Sequence, residues 1–196
     1  MVGAGAVTVA VVAGPGPGLT GYVSEAGIAT SAYASTFQLG MFSLAAALFL
    51  FATALPPTLR PAAALLALSG LSTVLSGAVT CTDGCPLPPF ERATTADLVH
   101  GGAAIAAVAA SVFAMLVIVV SPRAPRSLRR LSVLAAAFAL PLSATVGIAI
   151  LTLGRGRVVG VVERLLLANV MLWVLTAAVV VVIQHRRAVR LFPRGQ

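Results

Sequence analysis

Five long stretches of this chain contain no Arg, Lys, Asp or Glu, and each is long enough to cross the hydrocarbon core of a membrane. A helix needs about 20 apolar residues for that crossing. With 59% apolar and 9% charged residues, the chain cannot coat a soluble globule with polar side chains. The stretches lack the alternation of barrel strands, so we expect transmembrane helices. They cover residues 34–55, 62–79, 98–120, 131–153 and 165–183.

A sixth apolar segment, residues 2–13, is short for a span and ends at the run Gly14-Pro15-Gly16-Pro17-Gly18. It lacks the basic region that begins a secretory signal, so we interpret it as the outer part of a further helix, short or truncated, and expect the true start to lie upstream. We find no internal repeat, linker or second domain. The chain therefore predicts one all-α transmembrane domain over residues 1–196, an integral membrane six-helix bundle.

Small residues recur at helical spacing on three of the predicted spans. In lipid, helices associate through van der Waals contact and interhelical hydrogen bonds, so such stripes predict close packing first and a ligand tunnel second. The stripes are Ser69, Thr73, Ser76 and Gly77; Gly102, Ala106 and Ala110; and Ala139, Ser143 and Gly147.

Charged residues divide unequally between the two sides of the predicted bundle. The positive-inside rule makes the Arg-rich side cytoplasmic, which places both termini there, in a multi-pass protein of the cell membrane. Contact with anionic lipid headgroups explains the basic residues, so we expect no nucleic-acid partner. One side carries nine Arg and no acid: Arg60, Arg123, Arg126, Arg129, Arg130, Arg186, Arg187, Arg190 and Arg194. The other carries Arg92, Arg155, Arg157 and Arg164 with every acid: Glu25, Asp83, Glu91, Asp97 and Glu163.

Familiar catalytic signatures are absent from the sequence: there is no P-loop, GxSxG elbow or HExxH, and no strand–helix unit that would carry a Rossmann fingerprint. The only histidines, His100 and His185, lie near opposite ends of their spans. A membrane thickness of about 30 Å separates them, so they cannot together ligate one haem. We expect no cofactor and no metal.

Two cysteines, Cys81 and Cys85, enclose Thr82-Asp83-Gly84 in a predicted outer loop. An oxidising compartment and the turn-forming Asp-Gly favour a short disulfide loop that braces the helix ends. A metal site or redox pair is the alternative. Two thiolates fall short of the four ligands of a structural zinc, and only His100 or nearby acids would complete the set.

Ionisable residues from separate segments are predicted to meet at one depth near the outer face. Asp97 and His100 are three residues apart and share a helix face, Glu163 begins the last span, and Glu25 follows the first segment. A structural interpretation makes them helix-dipole partners and ion pairs. The functional interpretation makes these four residues catalytic, in a cleft where desolvation prepares a proton donor.

Five further residues are candidates for substrate contact in that cleft: Tyr22, Gln38, Arg164, Asn169 and Trp173. Asn169 and Trp173 are one turn apart on the last span, and Gln38 lies on the second helix with Tyr33 near its start. Packing or anchoring at the membrane interface explains these helical positions and Tyr33 equally well.

The chain contains five short motifs: Tyr22-Val23-Ser24-Glu25, Gly40-Met41-Phe42-Ser43-Leu44, Cys81-Thr82-Asp83-Gly84-Cys85-Pro86, Asp97-Leu98-Val99-His100 and Glu163-Arg164. Together they resemble a bacterial membrane protein family catalogued as domain of unknown function 998. The resemblance covers nearly the whole chain and implies a six-helix bundle of this topology, but it implies no reaction, since the family has no common assigned activity. The first helix is shorter than the family pattern.

The predicted cleft suggests acid-initiated cyclisation or isomerisation of an amphipathic, isoprenoid-like substrate, by analogy with membrane terpene cyclases. One carboxylic acid would protonate an alkene or epoxide, and His100 or a second carboxylate would remove a proton. The alternative is a non-catalytic lipid-binding, transport or accessory subunit. A proton-coupled transporter is disfavoured because no acid lies in the middle of a span.

Overall fold

The computed structural model describes residues 2–13 and 21–191, with side chains described as far as Arg186. The described part is helical and contains no strand. The Gly14 to Gly18 run lies outside it, as do Arg194 and the side chains of Arg187 and Arg190. The α-helices are α1 Val2–Ala13, α2 Ala34–Ala54, α3 Arg60–Ala78, α4 Thr95–Val120, α5 Arg126–Thr152 and α6 Arg157–Leu191. Short 3-10 helices cover Val23–Gly27 and Pro57–Leu59.

Helices α2 to α6 are each long and apolar enough to cross a membrane. This confirms the predicted all-α multi-pass membrane protein, with α1 as the short sixth helix of 12 residues. Local chemistry explains where the helices begin and end. Pro61 lies in the first turn of α3, where its missing N–H costs nothing, and Gly154 ends α5 with a φ of 69° that favours glycine.

Neighbouring helices in the chain pack against one another, with α1 on α2, then α2 on α3, α3 on α4 and α5 on α6. The α1–α2 contact is close because glycine lies on both sides of it. A Cβ atom at Gly3 would lie 2.9 Å from the carbonyl oxygen of Gly40. The short first segment is therefore a packed member of the bundle.

The packing prediction from small residues is confirmed on α3 and wrong for part of α4. The Ser69 hydroxyl donates to the carbonyl of Ala107 at 2.8 Å and lies 2.9 Å from the Ser111 hydroxyl, which joins α3 to α4. Gly102 and Ala106 are instead exposed on the bundle surface, and a Cβ at Gly102 would meet no atom within 4 Å. Their spacing indicates a common face with Ala110, but only Ala110 on that face is buried.

All five acidic residues meet partners at one end of the bundle, which we call the acidic end. Glu25 and Glu91 share Arg155, Asp83 accepts from Thr30, and Asp97 and Glu163 bond to loop backbone. Deeper in the bundle the core is apolar, and Trp173 packs edge-on against Phe51 with ring centroids 5.8 Å apart. The acids thus lie together at one end of the bundle, while their depth in the membrane and the compartment they face stay predictions.

Candidate functional site

A cavity of about 390 Å³ lies between the helices and reaches the acidic end. This volume is within the range of about 300–1,000 Å³ that is usual for small-molecule sites. Its wall is mainly apolar and comes from all six helices, with side chains such as Val7, Phe37, Val108, Val146 and Leu166. The cavity therefore fits a largely apolar molecule.

The ionisable side chains of the cavity wall concentrate at one part of it, which we call the polar end. It is lined by Tyr22, Ser24, Cys85, Asp97, His100 and Glu163. Burial raises the pKa of the Tyr22 phenol to about 12, and the nearby Glu91 carboxylate contributes in the same direction. The phenol is therefore protonated at neutral pH and can donate a hydrogen bond.

His100 is 5% exposed, and its two ring nitrogens have different surroundings. Nδ1 lies 2.8 Å from the carbonyl oxygen of Ser76 and 2.7 Å from that of Val79. Since carbonyl oxygens only accept, Nδ1 carries the proton. Nε2 is buried and has no hydrogen-bond partner among the described residues. In the neutral imidazole, Nε2 is an unused acceptor at a cavity-lining residue.

Asp97 lines the cavity but its carboxylate is already fully bonded. It is 1% exposed and accepts from the backbone N–H and hydroxyl of Thr82, at 2.7 and 3.0 Å, and from those of Thr94, at 2.8 and 2.7 Å. The Thr94 hydroxyl also accepts from the Asp97 N–H, which completes a capping box at the start of α4. Asp97 fastens the cysteine loop to α4.

Glu25 forms an ion pair and does not line the cavity. Its carboxylate accepts from the Tyr22 N–H at 2.9 Å and lies 3.4 Å from the Arg155 guanidinium. Arg155 also contacts Glu91, at 3.6 Å. Arg155 therefore ties the Val23–Gly27 segment to the loop before α4 and to the α5–α6 connection. Glu25 is compensated electrostatically.

Glu163 is the cavity-lining acid with the fewest bonds. It accepts one hydrogen bond, from the Val23 N–H to Oε2 at 3.1 Å, and is half-buried on α6. The neighbouring Arg164 does not line the cavity, since its guanidinium donates to the carbonyls of Gly21 and Gly160 at 2.9 and 2.7 Å. Glu163 and His100 thus retain unused bonding capacity at the polar end.

Cys81 and Cys85 form a disulfide, as the spacing predicts. A ring nitrogen of His100 and the two sulfur atoms all lie within 4.8 Å of one another. These three donors are the group in the described residues that could hold a metal ion, although the disulfide engages both sulfurs. The Ser24 hydroxyl donates to the Cys85 sulfur at 3.4 Å.

Of the predicted substrate-contacting residues, Tyr22 lines the cavity and the others lie elsewhere. The amide of Asn169 donates to the Ala135 carbonyl at 3.1 Å, and the indole N–H of Trp173 donates to the Ser132 hydroxyl at 3.1 Å. Both therefore join α6 to α5. Gln38 is half-buried on α2 and is not part of the cavity wall.

Hydroxyl groups deeper in the cavity have no counterpart among the predicted site residues. They belong to Ser69, Thr73, Ser76, Ser111 and Ser143. The Ser143 hydroxyl is buried without a hydrogen-bond partner in the described part of the chain. Ser69, Thr73, Ser76 and Ser143 belong to the predicted stripes of small residues. Such a stripe fits helix packing and fits the lining of a cavity, so the spacing alone does not distinguish the two roles.

Comparison with known proteins gives one match. Residues 1–180 match the family described as protein of unknown function, DUF998. No curated protein and no solved structure matches the chain.

Proposed function

The chain belongs to the DUF998 family, whose description carries no activity, and we propose from the cavity that the protein binds an amphipathic, isoprenoid-like molecule in the membrane. The apolar part of the ligand lies between the helices, and its polar group lies at the polar end. The single observation that carries this proposal is a cavity of about 390 Å³ with a mainly apolar wall and its ionisable side chains concentrated at one end.

The polar end offers complementary hydrogen-bonding groups to such a ligand. The Tyr22 phenol is a donor, while His100 Nε2 is a buried acceptor without a partner, which a ligand reaches once the neighbouring side chains shift. A buried polar atom without a partner costs about 1–3 kcal/mol, so a ligand hydroxyl at Nε2 would recover that cost. A purely apolar ligand would leave the group unpaired, and for this reason we favour an amphipathic one.

Acid-initiated cyclisation or isomerisation of the bound molecule is the second candidate function. It is favoured by Glu163 and His100 lining the same cavity with unused bonding capacity. Glu163 would protonate an alkene or epoxide, the apolar wall would shelter the cation, and His100 Nε2 would remove a proton. In this proposal Asp97 and Glu25 hold the loops in place and do not transfer protons.

The proposed membrane is the cell membrane, with the acidic end outside and both termini in the cytoplasm, because the Arg-rich loops lie at the opposite end. Fusing a reporter that is active only in the cytoplasm to the C-terminus tests this orientation. An inactive reporter on a full-length, membrane-inserted fusion would contradict it.

Two matched glycine variants test the binding proposal. A Cβ at Gly147 or at Gly102 would meet no atom within 4 Å, so both helices accept Leu there without a clash. Gly147 lines the cavity and Gly102 does not. We expect Gly147→Leu to lose most of the lipid-soluble molecule that copurifies with the wild type, measured by mass spectrometry of organic extracts, and Gly102→Leu to keep it.

Comparing the extracts of cells that express wild type, Glu163→Gln and His100→Gln separates binding from catalysis. Catalysis predicts that a product disappears and its precursor accumulates in both variants. Binding alone predicts the same molecule in all three, in smaller amounts in the variants. Equal loading of Gly147→Leu and wild type would refute both functions.

A further inference from the structure

We propose that the ligand of this cavity is a quinone and that it exchanges two electrons with the Cys81 and Cys85 pair. The inference rests on the proposed binding function and names its substrate class. It starts from the position of the disulfide, which lies beside the cavity and beside His100.

The disulfide is covered from water and lies against the cavity. Cys81 and Cys85 are 5% and 4% exposed, and Cys85 belongs to the cavity wall. A reactant that approaches from the cavity therefore meets a sulfur atom that a water-soluble oxidant reaches poorly. Such a reactant has to be soluble in the apolar part of the same cavity.

Side chains around the sulfurs suit proton-coupled thiol chemistry. The Ser24 hydroxyl donates to the Cys85 sulfur, an arrangement that favours the thiolate when the pair is reduced. A ring nitrogen of His100 lies within 4.8 Å of both sulfurs, and the buried Nε2 has no partner in the described residues. His100 is thus placed to carry a proton between a thiol and a ligand oxygen.

A quinone matches the reduced pair in electrons and in protons. The two thiols of Cys81 and Cys85 give up two electrons and two protons, and an S–S bond forms between them. The quinone takes up the two electrons and the two protons, so that its two carbonyl oxygens become the hydroxyls of a hydroquinone. No further oxidant or reductant enters this step.

The shape of the site favours a quinone over other two-electron acceptors. An isoprenoid quinone combines a long apolar tail with a ring that carries oxygen atoms at opposite edges. The tail fits the apolar wall, and a quinone carbonyl oxygen can accept a hydrogen bond from the Tyr22 phenol at the polar end. After reduction, a hydroquinone hydroxyl would donate to the vacant His100 Nε2.

The test uses the full chain purified in detergent, with a fully substituted benzoquinone bearing a decyl chain, to which thiols cannot add. Binding to the oxidised protein is followed by quenching of Trp173, the only tryptophan in the chain. The protein is then incubated with excess dithiothreitol until two thiols per chain titrate, freed of the reductant under nitrogen and mixed with the quinone. We expect one hydroquinone for each pair of thiols lost.

Variants distinguish the cavity chemistry from a reaction of exposed thiols. Cys81→Ser and Cys85→Ser should form no hydroquinone, and His100→Gln should slow the step at least about tenfold, since positioned acid–base groups contribute this much or more. Ser24→Ala, which keeps the His100 contacts, should slow it less. His185→Gln is the matched control and should react like the wild type, because His185 is exposed at the far end of α6.

The outcomes separate the two proposals. Quenching without hydroquinone formation overturns the electron transfer and leaves ligand binding intact. No quenching, while wild type still copurifies with a lipid that Gly147→Leu loses, overturns the quinone and keeps the binding function. No quenching and no copurifying lipid overturn both. Equal rates for His100→Gln and wild type would remove the proposed role of His100.

Discussion

Two sets of polar residues at the acidic end differ in how fully their hydrogen bonds are used. Asp97, Thr82 and Thr94 form a closed cluster in which one carboxylate accepts from two backbone N–H groups and two hydroxyls. Glu163 and His100 are an open set that lines one cavity from α6 and α4, with one bond to the Glu163 carboxylate and an unpartnered Nε2. Buried polar groups are normally paired, so the closed cluster indicates a structural role and the open set a ligand.

The largest effect that would test this contrast is loss of stability in Asp97→Asn. The amide offers one acceptor where the carboxylate offers two, and its NH₂ group faces the N–H donors of Thr82 or Thr94. We expect the free energy of unfolding to fall by about 3 kcal/mol, as for a hydrogen-bonded buried charge. Equilibrium unfolding in mixed micelles measures it.

Asp83→Asn is the matched control for that prediction. Asp83 is exposed and accepts one hydrogen bond, from Thr30, which Asn can also accept. Its unfolding free energy should stay within about 0.5 kcal/mol of the wild-type value. Equal losses in the two variants would show that the Asp97 cluster is not a structural fastening.

Removing the guanidinium that holds Glu25 should have the second largest effect. Arg155→Gln leaves the buried Glu25 carboxylate without its ion pair, and we expect a loss of about 1–2 kcal/mol in the same unfolding measurement. The wild-type advantage should shrink in high salt because Arg155 is partly exposed. Arg92→Gln, at an exposed position in the same loop region, is the control and should change little.

Glu163→Gln should alter stability much less than Asp97→Asn does, by less than about 1 kcal/mol, because the Gln oxygen can accept the one bond from Val23. The variant should instead change the amount or the identity of the ligand recovered from the purified protein. If this variant unfolds as readily as Asp97→Asn, the closed cluster and the open set do not differ in the way proposed here.

A spectroscopic prediction concerns Tyr22, whose pKa is raised to about 12 from an ordinary value of 10.0. The folded state keeps the phenol proton that the unfolded state begins to lose near pH 10. Stability from this group is therefore present below pH 10 and falls as the pH rises toward 12. Tyrosinate absorbance should show a step near pH 12 that Tyr22→Phe lacks. A step near pH 10 for Tyr22 would mean that the phenol is open to water.

Hydropathy and charge are sufficient to predict the helices and the end at which the acids lie. Each span is a local property of about 20 residues. In lipid, a single apolar segment of this length can satisfy its backbone hydrogen bonds only by forming a helix. The cysteine loop is equally local, since both partners lie within five residues. The contacts of Asn169 and Trp173 with α5 could not be predicted in this way. Helical spacing shows that two residues share a face, but it does not show which helix packs against that face.

Local patterns along the chain are therefore enough to predict the membrane-spanning bundle, its disulfide and the separation of charge between its two ends. Only the folded structure shows that the Asp97 carboxylate has a full set of hydrogen bonds while the Glu163 carboxylate has one. Asp97 accepts hydrogen bonds from Thr82, which is 15 residues away in the sequence, and Glu163 accepts one from Val23, which is 140 residues away. Hydrogen bonds between such distant positions depend on how the helices pack, and a pattern along one segment contains no information about the neighbour it meets.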